Sequence, residues 1–222
     1  MIRLEFIFVK KQIIIYILNN FIYNIRMFEF VEKIVYINLQ HRIDRKQQIE
    51  EVLKDLSDKV IRFNAIKESH GGIGCTKSHI AVLEMAIREG WKNYLVVEDD
   101  AIWNKFDTGY PILEELVQKP YDVIVLGSVF PRCTTNYRLM SCQTTTAYIV
   151  NSNYYEMLLS NFKEGLTGLL ITGQYHNYAI DQYWKRIQPC GLWYAVLPSL
   201  LIQRPGYSDI EKTVIDNGKF FS

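Results

Sequence analysis

The chain has 222 residues, 49% of them hydrophobic and 14% aromatic, and it carries a formal net charge of +1. This hydrophobic content excludes an intrinsically disordered chain, which has too few apolar side chains to form a core. A charge so close to zero gives no overall electrostatic footprint for nucleic acid, so we expect no nucleic-acid partner. The length fits a single domain with one substantial core.

Residues 1–26 differ from the rest of the chain. Their longest uninterrupted apolar run, residues 13–18, is far shorter than the ~20 residues that span a bilayer, and no signal-peptide cleavage site follows it. Two interpretations remain open: an interfacial amphipathic anchor with weak membrane-surface association, or an over-extended reading frame that truly starts at Met27. The second is slightly favoured, because the first recognisable strand begins just after Met27. We predict an extension over residues 1–30 and a functional domain over residues 31–222.

The number and spacing of the cysteines indicate which redox compartment the chain occupies. Four cysteines are too few and too scattered for a disulfide scaffold, and no C-x-x-C pair indicates a structural zinc site. Cys133 and Cys142 flank a polar loop and would pair only in an oxidising compartment. We expect reduced thiols and a cytoplasmic location, as for other intracellular chains.

Strand and helix patterns alternate through the first half of the chain. An amphipathic face formed by Ile49, Val52, Leu53 and Leu56 predicts the first helix, and a Gly-Gly pair breaks the chain before the second. In chain order we predict a strand at residues 34–39, a helix at 44–56, a strand at 60–66, a helix from about 77 to 89, a strand at 94–98, a short helix at 111–118 and a strand at 121–126.

The second half is less regular. Residues 131–143 are polar and predicted to be irregular, residues 166–178 show no clear pattern, and residues 203–222 are predicted to form a mostly irregular tail. Between these segments we predict a strand at 146–150, a helix at 152–161, a short helix at 180–187 and a strand at 193–197.

The alternation predicts an α/β fold with a mainly parallel, twisted sheet flanked by helices in a single domain. Ligands of such sheets bind beyond the carboxyl ends of the strands. The chain has no GxxxxGK[ST] motif and no GxGxxG after the first strand, which disfavours a P-loop ATPase and a Rossmann dehydrogenase.

An acidic triplet follows the most apolar strand. Glu98, Asp99 and Asp100 come directly after the run Tyr-Leu-Val-Val, and three adjacent carboxylates repel one another unless a cation relieves them. A hard divalent metal takes oxygen ligands and would do so. On an extended chain Glu98 and Asp100 point to one side and could share a cation, whereas Asp99 faces the core or a backbone amide. The plain alternative is a set of solvated loop acids.

Two further polar segments are candidates for anion binding. Arg42 and Arg45 follow the first strand and suit a phosphate, although they would also fit as surface arginines paired to Glu50 or Asp55. In GGIGCTKSH, residues 71–79, the glycines allow close backbone approach at a helix start, and the last three residues add donors. The alternative there is a capped helix with a buried Cys75. Asp181 also has a plain interpretation, as an acid favoured by the helix dipole.

Taken in order, these segments resemble glycosyltransferase family 25, which includes lipooligosaccharide glycosyltransferases and collagen galactosyltransferases. The resemblance covers roughly residues 33–212. The matching stretches are VYINLQHRIDR, GGIGCTKSHIAVLEMA, YLVVEDDA, YDVIVLG, TTTAYIVN, IDQYW and PSLLIQRPGYSDI. It implies a GT-A type, Rossmann-like fold, a UDP-sugar donor, a glycan or protein acceptor, and Mn²⁺ or Mg²⁺ as cofactor. This chain has Thr146 where family members often carry a histidine.

The resemblance also implies roles for individual residues. Glu98 and Asp100 would hold the metal, and Asp181 would be the general base for the acceptor hydroxyl. His176 is a weaker candidate, as a third metal ligand or an acceptor contact, and Asp209 would close over the donor with the tail. The residues expected to contact the donor are Asn38, Arg42, Arg45, Lys77, Ser78, His79, Asp99, Gln203 and Ser208.

The function predicted on this basis is the transfer of a hexose, galactose or glucose, from UDP to an acceptor hydroxyl by an inverting reaction. Two alternatives stay open. One is a nucleotidyltransferase that acts on a sugar phosphate, which would use a similar metal and diphosphate site. The other is a catalytically silent protein that binds a sugar or UDP.

Overall fold

The structure is a computed structural model that describes residues 27–221. The predictions for residues 1–26 lie outside the described residues. In the part of the chain that the structure describes, no helix is both long enough and apolar enough to cross a membrane.

Six strands form the central sheet, in the order β2-β1-β3-β6-β5-β7. β1 is parallel to β2 and β3, and β5 is parallel to β7, whereas β6 runs antiparallel between β3 and β5. The strands are β1 (Lys33–Asn38), β2 (Val60–Asn64), β3 (Asn93–Glu98), β4 (Ala101–Trp103), β5 (Val123–Cys133), β6 (Leu139–Asn151), β7 (Trp193–Ala195), β8 (Leu201–Gln203), β9 (Gly206–Ser208) and β10 (Thr213–Ile215). The predicted α/β fold with a mainly parallel sheet is confirmed.

The helices pack on both faces of this sheet. They are α1 (Ile43–Val52), α2 (Gly71–Glu89), α3 (Phe106–Leu116), α4 (Tyr155–Thr172), α5 (Tyr175–Tyr178) and α6 (Ile180–Tyr183). Short 3₁₀ turns lie at Lys54–Lys59, Ser152–Tyr154, Trp184–Arg186 and Gly218–Phe220. Outside the sheet, β4 pairs with β8 and β9 pairs with β10, both antiparallel.

The largest errors of the sequence prediction concern element ends. Residues 131–143 are largely strand, because β5 and β6 form a long hairpin whose polar side chains reach beyond the core. α3 begins at Phe106 rather than near Pro111, and α4 continues to Thr172. The tail also contains a small antiparallel hairpin, β9–β10, where an irregular segment was expected.

Helix α2 begins at Gly71, six residues before the predicted start, so the glycines do not break the chain. Packing requires them. A Cβ atom on Gly72 would lie 2.5 Å from Cε1 of Tyr175, and one on Gly74 would lie 2.5 Å from the carbonyl oxygen of Ile66. The glycines therefore admit other segments of the protein close to the helix backbone.

Alternating side chains of the strands form two buried layers, one on each face of the sheet. Val35 and Val96 belong to the layer beneath α2 and α4, whereas Ile34 and Leu95 belong to the layer beneath α1 and α3. Phe28 is fully buried in the second layer, and its backbone N–H donates to the Tyr110 hydroxyl at 2.9 Å. Because β1 and β3 are parallel neighbours, their carboxyl ends meet at one edge of the sheet.

Candidate active site

A cavity of about 680 Å³ opens at this edge of the sheet. Its floor is formed by the end of β3 and one face of α2. Its walls are formed by the 143–145 segment of β6, by α5 and α6, and by the β9–β10 hairpin. Six of the candidate site residues from the sequence line it together with Cys75; the six are Glu98, Asp99, Asp100, Asp181, His176 and His79.

The acidic triplet is held by side chains from β1 and α1. The side-chain amide of Asn38 donates to Asp99 at 2.7 Å, and one guanidinium nitrogen of Arg45 donates to Asp99 at 2.9 Å and to Asp100 at 3.2 Å. The predicted opposite orientation of Asp99 and Asp100 is therefore wrong. β3 ends at Glu98, so the alternation of an extended strand does not continue into the turn that follows.

Glu98 points to a different set of partners. Its Oε1 accepts a hydrogen bond from the Thr145 hydroxyl at 2.7 Å and lies 3.6 Å from Nε2 of His79. Its Oε2 accepts from the Gln203 side-chain amide at 3.3 Å. Residues from β6, α2 and β8 thus converge on this one carboxylate.

The three carboxyl groups differ in acidity. Burial, followed by the charge of Glu98, raises the pKa of Asp100 to about 7. Burial also raises the pKa of Asp99, in spite of the opposing charge of Arg45. Burial alone would raise the pKa of Glu98, but His79 and the hydroxyl of Thr145 outweigh it and lower that pKa. Arg45 alone therefore does not hold all three groups ionised at neutral pH.

The donor set of this strand end fits a divalent cation. Oδ1 of Asp100 is buried and has no hydrogen-bond partner among residues 27–221, which is costly for a polar atom unless a ligand pairs with it. Carboxylate oxygens are the ligands that Mn²⁺ and Mg²⁺ prefer. A cation bound between Glu98 and Asp100 would also relieve the repulsion that raises the pKa of Asp100.

Asp181 reaches the cavity from the opposite wall. It lies in the first turn of α6, and its Oδ2 accepts the backbone N–H of Thr144 at 3.2 Å. Burial raises the pKa of Asp181, against the effect of that hydrogen bond. A carboxyl group of this kind takes up a proton more readily than an exposed aspartate does.

Thr144 holds an unusual backbone conformation. Its φ angle is +72°, in a region that a β-branched residue rarely adopts. Its hydroxyl is hydrogen-bonded to that of Thr146 at 2.8 Å. Strain of this kind persists only where the surroundings impose it, and it is frequent at functional sites. Thr144 and Thr145 begin the TTTAYIVN stretch, but sequence reasoning gave them no role because neither carries a charge.

The predicted donor residues fall into two groups. Those that line the cavity are Arg45, Ser78, His79, Asp99, Gln203 and Ser208, whereas Asn38, Arg42 and Lys77 do not. Asn38 is fully buried and positions Asp99 from behind. Lys77 forms an ion pair with Glu68.

Arg42 fastens the β9–β10 hairpin to the strand end. Its guanidinium pairs with Asp44 and with Asp209, so the alternative partners that the sequence suggested for it are not the ones observed. Arg45 adds a second link, because its other guanidinium nitrogen donates to the backbone carbonyl of Tyr207 at 2.8 Å. Two arginines that follow the first strand therefore hold the hairpin against the cavity.

The serines near the cavity have structural hydrogen bonds. The Ser78 hydroxyl donates to the Gly74 carbonyl at 2.7 Å and accepts the Ile66 N–H at 2.8 Å. The Ser208 hydroxyl accepts backbone N–H groups from the following turn, at 3.2 Å from Ile210 and 3.1 Å from Glu211. Thr146 is fully buried and does not line the cavity. The four cysteines are free thiols.

No family model matches the chain, and no curated protein matches it. Among solved structures, the chain is similar to a glycosyltransferase involved in the glycosylation of the major capsid of PBCV-1. The TM-score is 0.54 at 12% identity, over 81% of this chain and 95% of that one. It is also similar to A197 from STIV, with a TM-score of 0.47 at 13% identity, over 83% of this chain and 93% of that one. The first likeness shows that the two chains share a fold.

Proposed function

We propose that this protein is a metal-dependent glycosyltransferase of the GT-A kind. In this proposal it moves a hexose, galactose or glucose, from a UDP-sugar to a hydroxyl group of a glycan or protein acceptor, with inversion at the anomeric carbon. The proposal includes membership of glycosyltransferase family 25, based on the ordered motifs, and a cytoplasmic location.

One observation carries the proposal. Carboxylates from two segments about 80 residues apart in the sequence, Glu98 and Asp100 at a strand end and Asp181 on a short helix, line the same cavity. The first pair offers oxygen ligands for a cation. Asp181 offers a proton acceptor whose pKa is raised by burial. Transfer from a nucleotide sugar needs both, because it creates charge on the departing diphosphate and removes a proton from the attacking hydroxyl.

Glu98 and Asp100 would hold Mn²⁺ or Mg²⁺, and the ion would supply charge neutralisation to the diphosphate of the donor. Arg45 stands beside them with a guanidinium that suits phosphate oxygens. Gln203 and Thr145 fix the carboxylate of Glu98 through hydrogen bonds. The β9–β10 hairpin forms one wall of the site and would shield the bound donor from solvent.

Asp181 would accept the proton of the acceptor hydroxyl as its oxygen forms a bond to the anomeric carbon. At the same time the bond from that carbon to the UDP oxygen breaks, and UDP leaves with the electron pair. The backbone N–H of Thr144 holds the Asp181 carboxylate through Oδ2. A positioned base of this kind contributes about 10²- to 10⁴-fold to the rate.

The test measures UDP release from UDP-galactose and UDP-glucose with Mn²⁺ and a panel of glycan and peptide acceptors. Wild type should turn over with at least one pair, and Asp100→Asn and Asp181→Asn should lose turnover. Asp58→Asn is the matched control, because Asp58 is exposed and lies outside the cavity. Formation of a nucleotide sugar from a sugar phosphate would replace the proposal with a nucleotidyltransferase. Metal-dependent UDP binding without turnover would replace it with a silent binding protein.

A further inference from the structure

A second cluster of ligand atoms lies on the α2 side of the cavity and is not explained by the hard-cation site. It consists of the Cys75 thiol, the His79 imidazole and the Glu98 carboxylate, whose ligand atoms all lie within 4.8 Å of one another. Cys75 and His79 are four residues apart on α2, so they share one face of the helix. Glu98 meets them from the end of β3.

His79 provides the observation that points to a ligand. The residue is only 1% exposed, and its Nε2 has no hydrogen-bond partner among residues 27–221. Its other ring nitrogen, Nδ1, lies 2.8 Å from the Tyr148 hydroxyl, and the two rings stack with centroids 5.7 Å apart. A hydrogen bond at one imidazole nitrogen fixes the ring and directs the other nitrogen, as in metal-binding histidines generally. Here Nε2 is directed at the space between Cys75 and Glu98.

The distances suit a small tetrahedral cation. Zinc ligands at about 2.0–2.3 Å from the metal lie roughly 3.3–3.8 Å apart. Nε2 of His79 and Oε1 of Glu98 are already 3.6 Å apart. The other ligand atoms lie within 4.8 Å of one another, so a side-chain movement of about 1 Å brings all three to zinc-binding distances. All three residues line the cavity, which leaves the fourth coordination position open to water or a ligand, as in zinc sites with three protein ligands.

We propose that Cys75, His79 and Glu98 form a binding site for a borderline-soft divalent cation, Zn²⁺ being the expected one. Sulfur and imidazole ligands select zinc over Mn²⁺ and Mg²⁺, which prefer oxygen. This site is distinct from the proposed Glu98–Asp100 site in its ligands, although the two share Glu98. It requires neither nucleotide nor sugar, so it stands whether or not the chain transfers hexoses.

Cobalt titration of the metal-free full-length protein tests the proposal, because Co²⁺ bound by a thiolate gives a ligand-to-metal charge-transfer band in the near ultraviolet. Wild type should show the band at stoichiometric cobalt, and Zn²⁺ should abolish it by displacement. Cys75→Ala should lack it. Cys190→Ala should keep it, since Cys190 is exposed and outside the cavity. Asp100→Asn should also keep it, which separates this site from the hard-cation site.

A wild-type protein without the band, or a band that survives Cys75→Ala, overturns the proposal. A band that needs a large excess of cobalt does the same, because it indicates adventitious binding. If Cys75→Ala does not fold, zinc X-ray absorption of the wild-type protein decides. One sulfur neighbour at about 2.3 Å supports the site, and a shell of only nitrogen and oxygen contradicts it.

Discussion

The two carboxylate regions of the cavity are held in different ways. Asp99 and Asp100 are compensated by a full positive charge, since both accept from Arg45 at 2.9 and 3.2 Å. Asp181 accepts the backbone N–H of Thr144 at 3.2 Å, and the charge of Lys185 and the side chain of Gln182 also favour its ionised form. Burial raises the pKa of Asp100 as well as that of Asp181, so the two regions differ in their partners: a guanidinium that also suits a diphosphate on one side, and a backbone amide on the other. The difference separates an electrostatic region from an acid–base region within one cavity.

Removing the charge of Asp181 is the most direct test of the difference between the two regions. Asp181→Asn keeps an oxygen for the Thr144 N–H and abolishes the proton acceptor, so we expect the kcat for sugar transfer to fall by about 10²- to 10⁴-fold. The affinity for Mn²⁺ and UDP should stay near that of wild type, because Asp181 is not among the metal ligands. Steady-state kinetics and calorimetry measure the two effects. A variant with wild-type kcat would place the base elsewhere.

The same variant should be more stable than wild type at neutral pH. The pKa of Asp181 is raised in the folded state, so the stability associated with this group is fully present below the unfolded pKa of ~3.9 and is lost as the pH rises through the folded pKa. The gain in Tm of Asp181→Asn over wild type should therefore be absent at low pH and grow toward neutral pH. Differential scanning calorimetry across this range checks the sign.

Arg45 tests the electrostatic region. Its side chain is 14% exposed, and those of Asp99 and Asp100 are 10% and 15% exposed. Removing one partner of a buried ion pair costs about 3–5 kcal/mol of stability. We expect the loss for Arg45→Gln to be near the lower end of this range, because Asp100 can take up a proton. Saturating Mn²⁺ should restore much of this free energy of unfolding. Lys46→Gln, on the same helix, removes a lysine that is 37% exposed and pairs with Glu50 at 3.5 Å; it is the control and should change little.

Denaturant unfolding with and without Mn²⁺ measures both effects. Recovery specific to Mn²⁺ supports a cation site at the strand end. Equal destabilisation in both conditions would mean that Arg45 has only a packing role.

Asp100 and Asp99 provide a narrower comparison within the triplet. Oδ1 of Asp100 has no partner among the described residues, whereas both oxygens of Asp99 are bonded, to Arg45 and Asn38. Asp100→Asn should therefore weaken Mn²⁺ binding by at least about 10- to 100-fold, in the range that changes near a metal produce. Asp99→Asn should weaken it less. Electron paramagnetic resonance of free Mn²⁺ in titrations gives both affinities, and equal losses would contradict the assignment of Asp100.

Much of the fold follows from local sequence patterns. Apolar runs in β1, β3 and the start of β5 mark the buried strands, and the parallel arrangement explains why Asn38 and Glu98 end at the same edge. The hairpin of β5 and β6 was missed because its outer residues are polar and are stabilised by cross-strand pairing rather than by burial. Likewise, the start of α2 depends on what packs against Gly72 and Gly74, which local patterns do not reveal.

The site was predictable only in part. Acids at a strand end and after a helix start are visible in the sequence, and Glu98, Asp100 and Asp181 do line one cavity. The sharing of Arg45 between Asp99 and Asp100 depends on a turn that no pattern specifies. Arg42 and Lys77 look equally suited to phosphate in the sequence, but their partners, Asp209 and Glu68, come from other segments.

The smallest expected effect concerns Thr144, which supplies the amide to Asp181. With φ at +72°, alanine at this position keeps the unfavourable conformation and loses the hydroxyl, whereas glycine relieves the conformation and also loses the hydroxyl. Thr144→Gly should therefore be more stable than Thr144→Ala by about 1 kcal/mol, after the entropy of the unfolded glycine chain is deducted. Thermal unfolding of the two variants measures this difference.

The same pair of variants links strain to the proposed acid–base role. If the strained backbone is needed to hold the amide against Asp181, Thr144→Gly should have the lower kcat of the two, by up to about tenfold, with unchanged KM for the donor. Thr134→Gly, in the turn of the β5–β6 hairpin and outside the cavity, controls for added chain flexibility. Equal kcat values for Thr144→Ala and Thr144→Gly would show that the conformation of residue 144 does not matter to Asp181. In that case the Thr144 amide acts on Asp181 without any need for the strained backbone that presents it.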